Sequence, residues 1–422
     1  MRISIVGAGY VGLATGVVFA SLGHQIFLIE LDFEKVKKIR KGIPPMFERN
    51  LEEFLRKTRK NLHATTDHNI ALKTEMSFLC VQTPSLEDGS IDLSSMKIAT
   101  EQLSRALRDK KDYHLIVVKS TVTPMVTEEV LIPLIEKYSE KKVGSEIGVC
   151  TNPEFLQEGR AIEGTLKPSR IVLGEFDERS GDTLLKLYRE FSCPIMRCSL
   201  KTAEMIKYAS NCMLATKISF INEIGNLCKL LGIDVYDVAK GVGLDERINP
   251  QHLNAGIGFG GSCFPKDVKA FVRYAESRGY TPKILKEVLN LNESQPLRLL
   301  ELLKKKIGNL EKERIGVLGL AFKKNTDDVR DAVSLKILGE LLRQRALVYA
   351  YDPKAMERVR EIFGNRINYC KSANEVLKKC DYILIVTEWE EFKDLDYSQK
   401  YIFDGRYLLK DVKCKYYEGV CW

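Results

Sequence analysis

The sequence lacks several features that define other classes of protein. No run approaches the ~18 uninterrupted apolar residues of a membrane span, and no low-complexity segment or short repeat interrupts the 422 residues. The formal net charge is +8, but Lys and Arg are mixed with Asp and Glu throughout, which is not the pattern of a nucleic-acid-binding surface. We therefore expect neither a membrane nor a nucleic-acid partner, and a mild preference for anionic small substrates.

Paired cysteine motifs are absent as well. The eleven cysteines include no C-x-x-C pair and no cysteine–histidine cluster, so we predict no metal site. Reduced thiols in a cytoplasmic protein are the default interpretation. A secretory signal is not expected either, because glycines interrupt the first apolar stretch. The alternative, for a thermophilic protein, is two disulfides, one joining Cys370 to Cys380 and one joining Cys414 to Cys421.

A nucleotide-binding fingerprint stands at the start of the chain. The β-rich run RISIV leads into Gly7, Gly9 and Gly12 in the pattern G-x-G-x-x-G. In this motif the first glycine allows a tight turn, the second lets a pyrophosphate approach, and the third lets helix and strand pack closely. The next strand delivers Glu30 where a ribose-binding acid is expected. A carboxylate there favours NAD over NADP, so NAD is the predicted cofactor.

Strands and helices alternate through the rest of the first half. The runs EMSFLCVQTP, YHLIVVKSTV and EIGVCTNPEF each pass from apolar residues into Thr, Pro, Ser or Asn. Successive βα units of this kind build a parallel sheet whose ligands lie at the carboxyl ends of the strands. Thr83, Thr121 and Glu154 therefore fall on the predicted ligand edge. A further strand is predicted near Ile171.

The second half begins with a different pattern. A long, largely apolar helix is predicted over 200–231 and another over 282–306; the first is typical of a domain connector or a dimer core. The strand–helix order then returns, with Gly316 and Gly319 but no third glycine, so this unit is expected to hold its nucleotide by other means.

The predicted fold class is α/β, with two Rossmann-like parallel-sheet domains joined by a long central helix. The expected boundaries are 1–199 for the NAD-binding domain, 200–308 for a helical and dimerisation region, and 309–422 for the second Rossmann-like domain.

The helical region also contains a candidate nucleophile. The segment GIGFGGSCFPKD places Cys263 after a glycine-rich run and before Lys266 and Asp267. A thiol can hold an acyl group, and a nearby lysine and exposed backbone amides stabilise its thiolate. With a hydride-accepting cofactor in the same chain, this indicates oxidation beyond the aldehyde level. Lys207 and Asn211, one helical turn apart, share a face of the long helix and are further candidates.

Seven motifs, in order, resemble those of the nucleotide-sugar dehydrogenases over nearly the whole chain. They are GAGYVG from Gly7, KSTV from Lys119, NPEFLQEG from Asn152, KYASN from Lys207, GFGGSCFPKD from Gly258, GLAFKKNTDDVR from Gly319 and FDGR from Phe403. The resemblance implies NAD on the first domain, a UDP-sugar on the second, and a homodimer or higher homo-oligomer formed through the long helix. It also implies four-electron oxidation of a sugar C6 hydroxyl to a carboxylate, through a cysteine thiohemiacetal and thioester, with two NAD.

The resemblance further implies roles for individual residues. Lys207 and Asn211 would face the reacting oxygen, and Cys263 would capture the aldehyde. Asp267 and Thr121 would hold a catalytic water, with Glu154 as general acid or base in thioester hydrolysis. The implied substrate contacts are Phe155, Leu156, Glu158, Arg247, Leu253, Asn254, Phe259, Gly260, Phe322, Lys323 and Arg406. The implied cofactor contacts are Gly7, Gly9, Tyr10, Val11, Gly12, Glu30, Lys35, Thr83, Pro84, Ser120, Thr121, Glu158, Lys266 and Arg330.

Several alternatives stay open. UDP-glucose is the favoured substrate, GDP-mannose or another UDP-sugar is the alternative, and Lys266 argues against an N-acetyl sugar. A noncatalytic nucleotide-sugar-binding protein would lack the thiol, lysine or aspartate, and a one-step alcohol dehydrogenase would not need Cys263. The chain departs from the family at FERNL over 47–51, at VQTP over 81–84, and in having Glu30 in place of the commoner aspartate. These departures bear on cofactor contacts, not on the reaction class.

Overall fold

A computed structural model describes all residues from Met1 to Trp422. The chain divides into two compact units, Met1–Ser210 and Asn211–Trp422. Each has its own sheet of mainly parallel strands, and a long helix spans Leu200–Leu231, so the predicted fold class is confirmed. None of the helices combines the length and the apolar character that crossing a membrane requires.

The first unit is built around an eight-stranded sheet. Its strands are β1 (Arg2–Val6), β2 (Gln25–Ile29), β3 (Leu62–Thr65), β4 (Met76–Leu79), β5 (His114–Val118), β6 (Ile147–Thr151), β7 (Ile171–Glu175) and β8 (Ile195–Ser199). Its helices are α1 (Tyr10–Ser21), α2 (Phe33–Arg40), α3 (Leu51–Lys57), α4 (Ser94–Leu107), α5 (Ile132–Ser139), α6 (Ala161–Leu166) and α7 (Glu178–Leu185), followed by the start of α8 (Leu200–Leu231).

Helices cover both faces of this sheet. Ile3 and Ile5 of β1 pack with Leu13 of α1 in one cluster, whereas Val6 packs with Leu103 of α4 in another. Strand β5 is buried along its whole length, as expected when neither face of a parallel sheet meets water. The carboxyl ends of the strands are therefore the open edge available to a ligand.

The strand order is β3-β2-β1-β4-β5-β6-β7-β8. All neighbours pair in parallel except β6 and β7, which are antiparallel through Cys150↔Glu175 and Thr151↔Gly174. The strand near Ile171 is thus present as predicted, but the sheet is not parallel throughout. The chain between β6 and β7 consequently turns back at the carboxyl edge, where the NPEFLQEG segment lies.

The second unit contains the rest of α8 and a six-stranded, all-parallel sheet in the order β11-β10-β9-β12-β13-β14. Its strands are β9 (Arg314–Leu318), β10 (Leu347–Tyr351), β11 (Asn368–Tyr369), β12 (Tyr382–Ile385), β13 (Tyr401–Asp404) and β14 (Tyr416–Gly419). Its helices are α9 (Val235–Gly243), α10 (Phe264–Ser277), α11 (Lys283–Ile307), α12 (Val333–Arg343), α13 (Met356–Phe363) and α14 (Ala373–Lys379).

One large apolar cluster holds this unit together. It joins Ile221 of α8, Leu299 of α11 and Ile257 of the glycine-rich loop to buried strand residues such as Val317 and Leu384. The loop before Cys263 therefore rests on the same core as the second sheet, which gives it a rigid base.

All eleven cysteines are thiols in the structure. The two disulfides considered from the sequence, Cys370 with Cys380 and Cys414 with Cys421, are not formed. Burial raises the pKa of Cys380 and of Cys421 to about 12, so these thiols are unreactive core residues.

Candidate functional site

The glycine turn between β1 and α1 has the geometry of a dinucleotide site. Gly7 has φ +98°, a left-handed conformation that glycine adopts without strain. A Cβ on Gly12 would lie 1.9 Å from the carbonyl oxygen of Gly7, so turn and helix pack closely. A Cβ on Gly9 would meet nothing within 4 Å, and no side chain caps the helix that begins with Tyr10 and Val11. An open approach to an uncapped helix start suits a pyrophosphate.

Glu30 lies directly beside this turn. Its Oε2 accepts a hydrogen bond from the Ala8 N–H at 3.1 Å, and its Oε1 accepts one from the Asp32 N–H at 3.1 Å. The carboxylate is thus held next to the fingerprint, where it fits the hydroxyl groups of a ribose. Lys35, on α2, is half-buried, with its Nζ 4.0 Å from Asp32.

The loops after β4 and β5 contact each other at the carboxyl edge of the sheet. Thr83 Oγ1 donates to the Thr121 carbonyl oxygen at 3.0 Å, and Ser120 Oγ donates to the Val81 carbonyl oxygen at 2.6 Å. Pro84 follows on the surface. The structure therefore brings four of the predicted cofactor-contact residues together within the first unit.

Glu154 and Lys207 form a buried ion pair. Lys207 Nζ lies 2.8 Å from Glu154 Oε1 and 2.6 Å from the Glu154 carbonyl oxygen, and the two side chains are 4% and 9% exposed. Burial alone raises the pKa of Glu154, but Lys207 and the Leu156 N–H that bonds its Oε2 outweigh it, so the pKa is lowered. The pair thus provides an ionised carboxylate and an ammonium group shielded from water.

A second buried lysine, Lys119, interacts with this pair. Lys119 Nζ donates to Asn152 Oδ1 at 2.9 Å, and the Tyr188 hydroxyl donates to the same oxygen. Burial lowers the pKa of Lys119. Because Lys119 also interacts electrostatically with Glu154, it adds to the positive charge that keeps Glu154 ionised.

A cavity of about 260 Å³ opens beside these residues in the first unit. Glu154, Phe155 and Leu156 form part of its wall, as do Lys119 and Arg170. The Arg170 guanidinium stacks on the Phe155 ring at 3.9 Å from the ring centre. The predicted substrate contacts Phe155 and Leu156 thus line a cavity with aromatic and cationic walls.

Glu48 anchors the segment that carries Glu158, which is buried. Its two carboxylate oxygens accept hydrogen bonds from the Gly159 N–H at 2.8 Å and the Ala161 N–H at 3.1 Å. These amides lie at the start of α6, where a carboxylate is favourable. Sequence reasoning noted the altered FERNL segment but missed this contact, because the residues joined are more than 100 positions apart.

Cys263 lies immediately before α10 and is half-buried. A helix start stabilises a thiolate placed there, and Ser262 Oγ lies 3.6 Å from the sulfur. The helix begins with Phe264 and Pro265, and proline suits this position because it needs no N–H partner there. The thiol is thus on a defined element at a favourable end.

Asp267, one turn further along α10, is 1% exposed. Lys266 Nζ donates to its Oδ1 at 2.6 Å, and Asn211 Nδ2 donates to its Oδ2 at 2.6 Å. The structure therefore brings three predicted residues of the second unit together. One amide donor of Asn211 is used by Asp267, an interaction that the sequence did not reveal.

The glycine-rich loop before Cys263 is held by side chains that sequence reasoning missed. Asn292 on α11 accepts from the Phe259 N–H at 2.8 Å and donates to the Phe259 carbonyl at 3.0 Å. Asn222 accepts a hydrogen bond from the Gly256 N–H at 2.8 Å, and Gln295 donates one to the Gly256 carbonyl oxygen at 2.8 Å. Asn222 lies on α8, and Asn292 and Gln295 lie on α11; other polar residues share their helix faces, so no sequence pattern distinguishes them. These three side chains fix the loop that presents the thiol.

The predicted substrate residues of this loop are divided by burial. Leu253 and Phe259 lie in apolar clusters of the second unit, so their side chains act in packing. Gly260 is half-buried and Asn254 is exposed.

The predicted cationic contacts already have protein partners in the second unit. Arg406 donates to the carbonyl oxygens of Val386 at 2.9 Å and Gly258 at 3.0 Å, so it supports the glycine-rich loop before Cys263. The exposed Arg247 pairs with Asp245 at 2.6 Å. Two further predicted contacts also have partners. Lys323 Nζ lies 5.3 Å from the ring centre of Phe322, and Arg330 pairs with Asp328 at 2.6 Å.

In the second Rossmann-like unit, the backbone N–H groups after the first glycine turn are already hydrogen-bonded within the protein. Asp352 is 1% exposed, and its Oδ2 accepts from the N–H groups of Leu320 at 2.7 Å and Ala321 at 3.0 Å and from the Trp389 indole at 3.0 Å. The protein's own carboxylate thus occupies backbone amides that follow Gly319. These amides are therefore not open to a nucleotide phosphate.

No group of three or more His, Cys, Asp or Glu side chains is arranged to hold a metal ion. The structure therefore offers three chemical groups. They are the glycine turn of a dinucleotide site, the buried pair of Glu154 and Lys207, and the Cys263 thiol at the start of α10 with Asp267 one turn away.

Three family profiles match successive parts of the chain. All three describe the UDP-glucose/GDP-mannose dehydrogenase family: its NAD binding domain matches residues 1–192, its central domain residues 201–294 and its UDP binding domain residues 316–411.

Individual relatives match over nearly their full length. The UDP-glucose 6-dehydrogenase AglM of Haloferax volcanii is 41% identical over 97% of this chain and 97% of its own. The UDP-glucose 6-dehydrogenase YwqF of Bacillus subtilis is 40% identical over 96% of this chain and 93% of its own.

Solved structures agree with these sequence matches. A UDP-glucose dehydrogenase from Pyrobaculum islandicum is 42% identical, covers 100% of this chain and 98% of its own, and superposes with a TM-score of 0.96. A GDP-mannose dehydrogenase from Pseudomonas aeruginosa is 33% identical, covers 100% of both chains and has a TM-score of 0.59.

Proposed function

The chain belongs to the UDP-glucose/GDP-mannose dehydrogenase family, and from this we propose that it oxidises the C6 hydroxyl of UDP-glucose to the carboxylate with two NAD. It is an NAD-dependent oxidoreductase. The observation that carries the substrate assignment is the 41% identity, over 97% of both chains, to a protein named for this reaction. We assign NAD binding to 1–199, the helical region with the thiol loop to 200–308 and UDP-sugar binding to 309–422.

The buried pair supplies charge for the first oxidation. NAD, when bound at the glycine turn beside Glu30, supplies the hydride acceptor in both oxidation steps. The Lys207 ammonium stabilises negative charge on the reacting C6 oxygen as its proton leaves, and Asn211 adds a neutral hydrogen bond. Asp267, held by two side-chain donors, is the base that accepts this proton.

Cys263 carries the second oxidation. Its thiolate adds to the aldehyde carbon to form a C–S bond, and the alkoxide takes up a proton to give a thiohemiacetal. Loss of a hydride and the hydroxyl proton leaves a thioester. Water held by Thr121 then attacks the acyl carbon, with Glu154 as base, and the C–S bond breaks to release the carboxylate and the thiol. One sugar nucleotide thus yields two NADH and three protons.

A substrate panel tests this assignment. We expect UDP-glucose to give the highest kcat/KM among UDP-glucose, UDP-galactose, UDP-N-acetylmannosamine and GDP-mannose, measured by NADH absorbance. A GDP-mannose preference is the specific alternative, because a GDP-mannose dehydrogenase is 33% identical to this chain. Binding of NAD without turnover of any of the four sugars would contradict the proposal and favour a noncatalytic nucleotide-sugar-binding protein.

We also propose that the protein acts in the cytoplasm as a homodimer or a higher homo-oligomer. A thiol-dependent reaction suits a reducing compartment. On α8, Met213, Phe220 and Leu227 repeat every seven residues and are 61%, 52% and 54% exposed. A stripe of this kind along a helix is typical of a helix–helix interface.

Sedimentation velocity tests this interface. Phe220→Glu is expected to convert the oligomer to a monomer, because a carboxylate on the apolar stripe is costly to desolvate. Phe176→Glu is the control, since Phe176 is also exposed, at 46%, but lies outside α8. An unchanged sedimentation coefficient for Phe220→Glu would contradict an interface through this helix.

A further inference from the structure

Glu204 is a buried carboxylate that the mechanism above does not use. It lies on α8, one turn before Lys207, and is 1% exposed. Its Oε2 accepts from the Met125 N–H at 2.7 Å, and its Oε1 accepts from the Thr127 N–H at 3.0 Å and the Thr127 hydroxyl at 2.6 Å. All its partners are neutral donors on one short segment, 125–127. Burial raises the pKa of Glu204 to about 7, so this position is costly for a carboxylate.

The segment that Glu204 binds begins at Met125, four residues after Thr121. Met125 has φ +73°, a left-handed conformation that is unfavourable for a residue with a side chain. Such a conformation persists only where surrounding contacts hold it, and the hydrogen bond from the Met125 N–H to Glu204 is one of these contacts. The backbone after Thr121 is therefore fixed by a side chain from α8.

The same network reaches the strand that leads to Glu154. The Thr127 hydroxyl has one hydrogen, which it gives to Glu204, so at the 3.3 Å contact between Thr127 and Thr151 the Thr151 hydroxyl is the donor. Thr151 is the last residue of β6. Glu204 thus links α8, which carries Lys207, to the loop after β5, which carries Thr121, and to the end of β6, three residues before Glu154.

We propose that Glu204 is a positioning residue that fixes the segment after Thr121 to the helical turn of Lys207, and thereby places Thr121 for thioester hydrolysis. The inference rests on the proposed function for the role of Thr121, but the tether itself does not. A carboxylate suits this task because both of its oxygens accept hydrogen bonds, whereas an amide has one accepting oxygen and would turn its NH₂ group towards an N–H donor.

The kinetic test is a double-mutant cycle with Thr121. Glu204→Gln is expected to lower kcat by about 10- to 100-fold, to change the KM for UDP-glucose less than about threefold, and to let acyl-Cys263 accumulate in intact-protein mass spectra. Thr121→Ala should behave alike, and the double variant should be no worse than either single variant because both remove one function. A loss of kcat in the double variant equal to the product of the two single-variant losses would overturn the proposal. So would a change in the KM of Glu204→Gln with kcat unchanged.

A second measurement does not depend on turnover. Amide hydrogen exchange of residues 121–127 should speed up in Glu204→Gln and stay unchanged in Glu101→Gln, a surface control whose carboxylate pairs only with Arg105. Unchanged exchange in Glu204→Gln would overturn the tether even if the wild-type protein oxidised no sugar. If the wild-type protein oxidised none of the sugar nucleotides but exchange was faster in Glu204→Gln, only the proposed function would be contradicted.

A milder pair covers the case in which Glu204→Gln does not fold. Thr127→Val removes one donor to Glu204, and Thr127→Ser keeps it. We expect Thr127→Val to reproduce the loss of kcat and the faster exchange, and Thr127→Ser to restore both. Equal values for the two variants would contradict the proposal.

Discussion

Replacing Cys263 by serine is expected to abolish carboxylate formation. A serine hydroxyl is far less nucleophilic than a thiolate and cannot form the thioester from which the second hydride step gives an acid. We expect the rate of uronate formation to fall by at least about 10³-fold, with NADH limited to one per sugar nucleotide consumed. Product analysis by mass spectrometry, together with NADH absorbance, measures both quantities.

Cys193→Ser is the matched control, because Cys193 is also half-buried but lies in the first unit, where burial raises its pKa. It should keep the wild-type rate and stoichiometry. Uronate formation by Cys263→Ser at a rate near that of the wild type would rule out the acyl-thiol role. The four-electron oxidation would then have to proceed without a thioester on Cys263.

Replacing Lys207 by alanine is expected to give the second largest loss, about 10²- to 10⁴-fold in kcat, because it removes the cation that we propose to stabilise the reacting oxygen. It also leaves the Glu154 carboxylate buried without its partner, which costs about 3–5 kcal/mol of stability. Lys207→Arg keeps the charge and should fold normally. Lys201→Ala, an exposed residue on the same helix, should have no effect.

The pH dependence of Lys207→Ala has a definite sign. In the wild type, Lys207 helps to lower the pKa of Glu154, so the carboxylate stays ionised well into the acidic range. Without the ammonium, burial dominates and raises that pKa. The acid limb of the pH–rate profile should therefore move to higher pH. A profile with an unchanged acid limb, or a kcat within threefold of the wild type, would contradict the role of the pair.

The general fold could be predicted because its signals are local. The glycine fingerprint, the buried strands and the 32-residue α8 each follow from residues close together in sequence. The direction of β7 could not be predicted in the same way, because an apolar run indicates a strand but not which way it pairs. Its antiparallel pairing with β6 depends on how the chain turns between Thr151 and Ile171.

The parts of the site that escaped prediction are side chains bound to distant backbone. Glu48, Glu204 and Asp352 each accept hydrogen bonds from N–H groups 31 to 113 residues away, and no spacing rule reports such contacts. Arg406 was expected to bind substrate because cations suit phosphates, whereas its guanidinium donates to two carbonyl oxygens. The chemistry of a residue type can be read from sequence, but the partner that uses it depends on tertiary structure.

The most direct test of the account is the number of NADH formed per UDP-glucose consumed by the wild-type protein at limiting sugar nucleotide. We expect two NADH, with UDP-glucuronate as the product. One NADH per UDP-glucose, with an aldehyde product, would contradict the thioester mechanism and leave only the dinucleotide site in place.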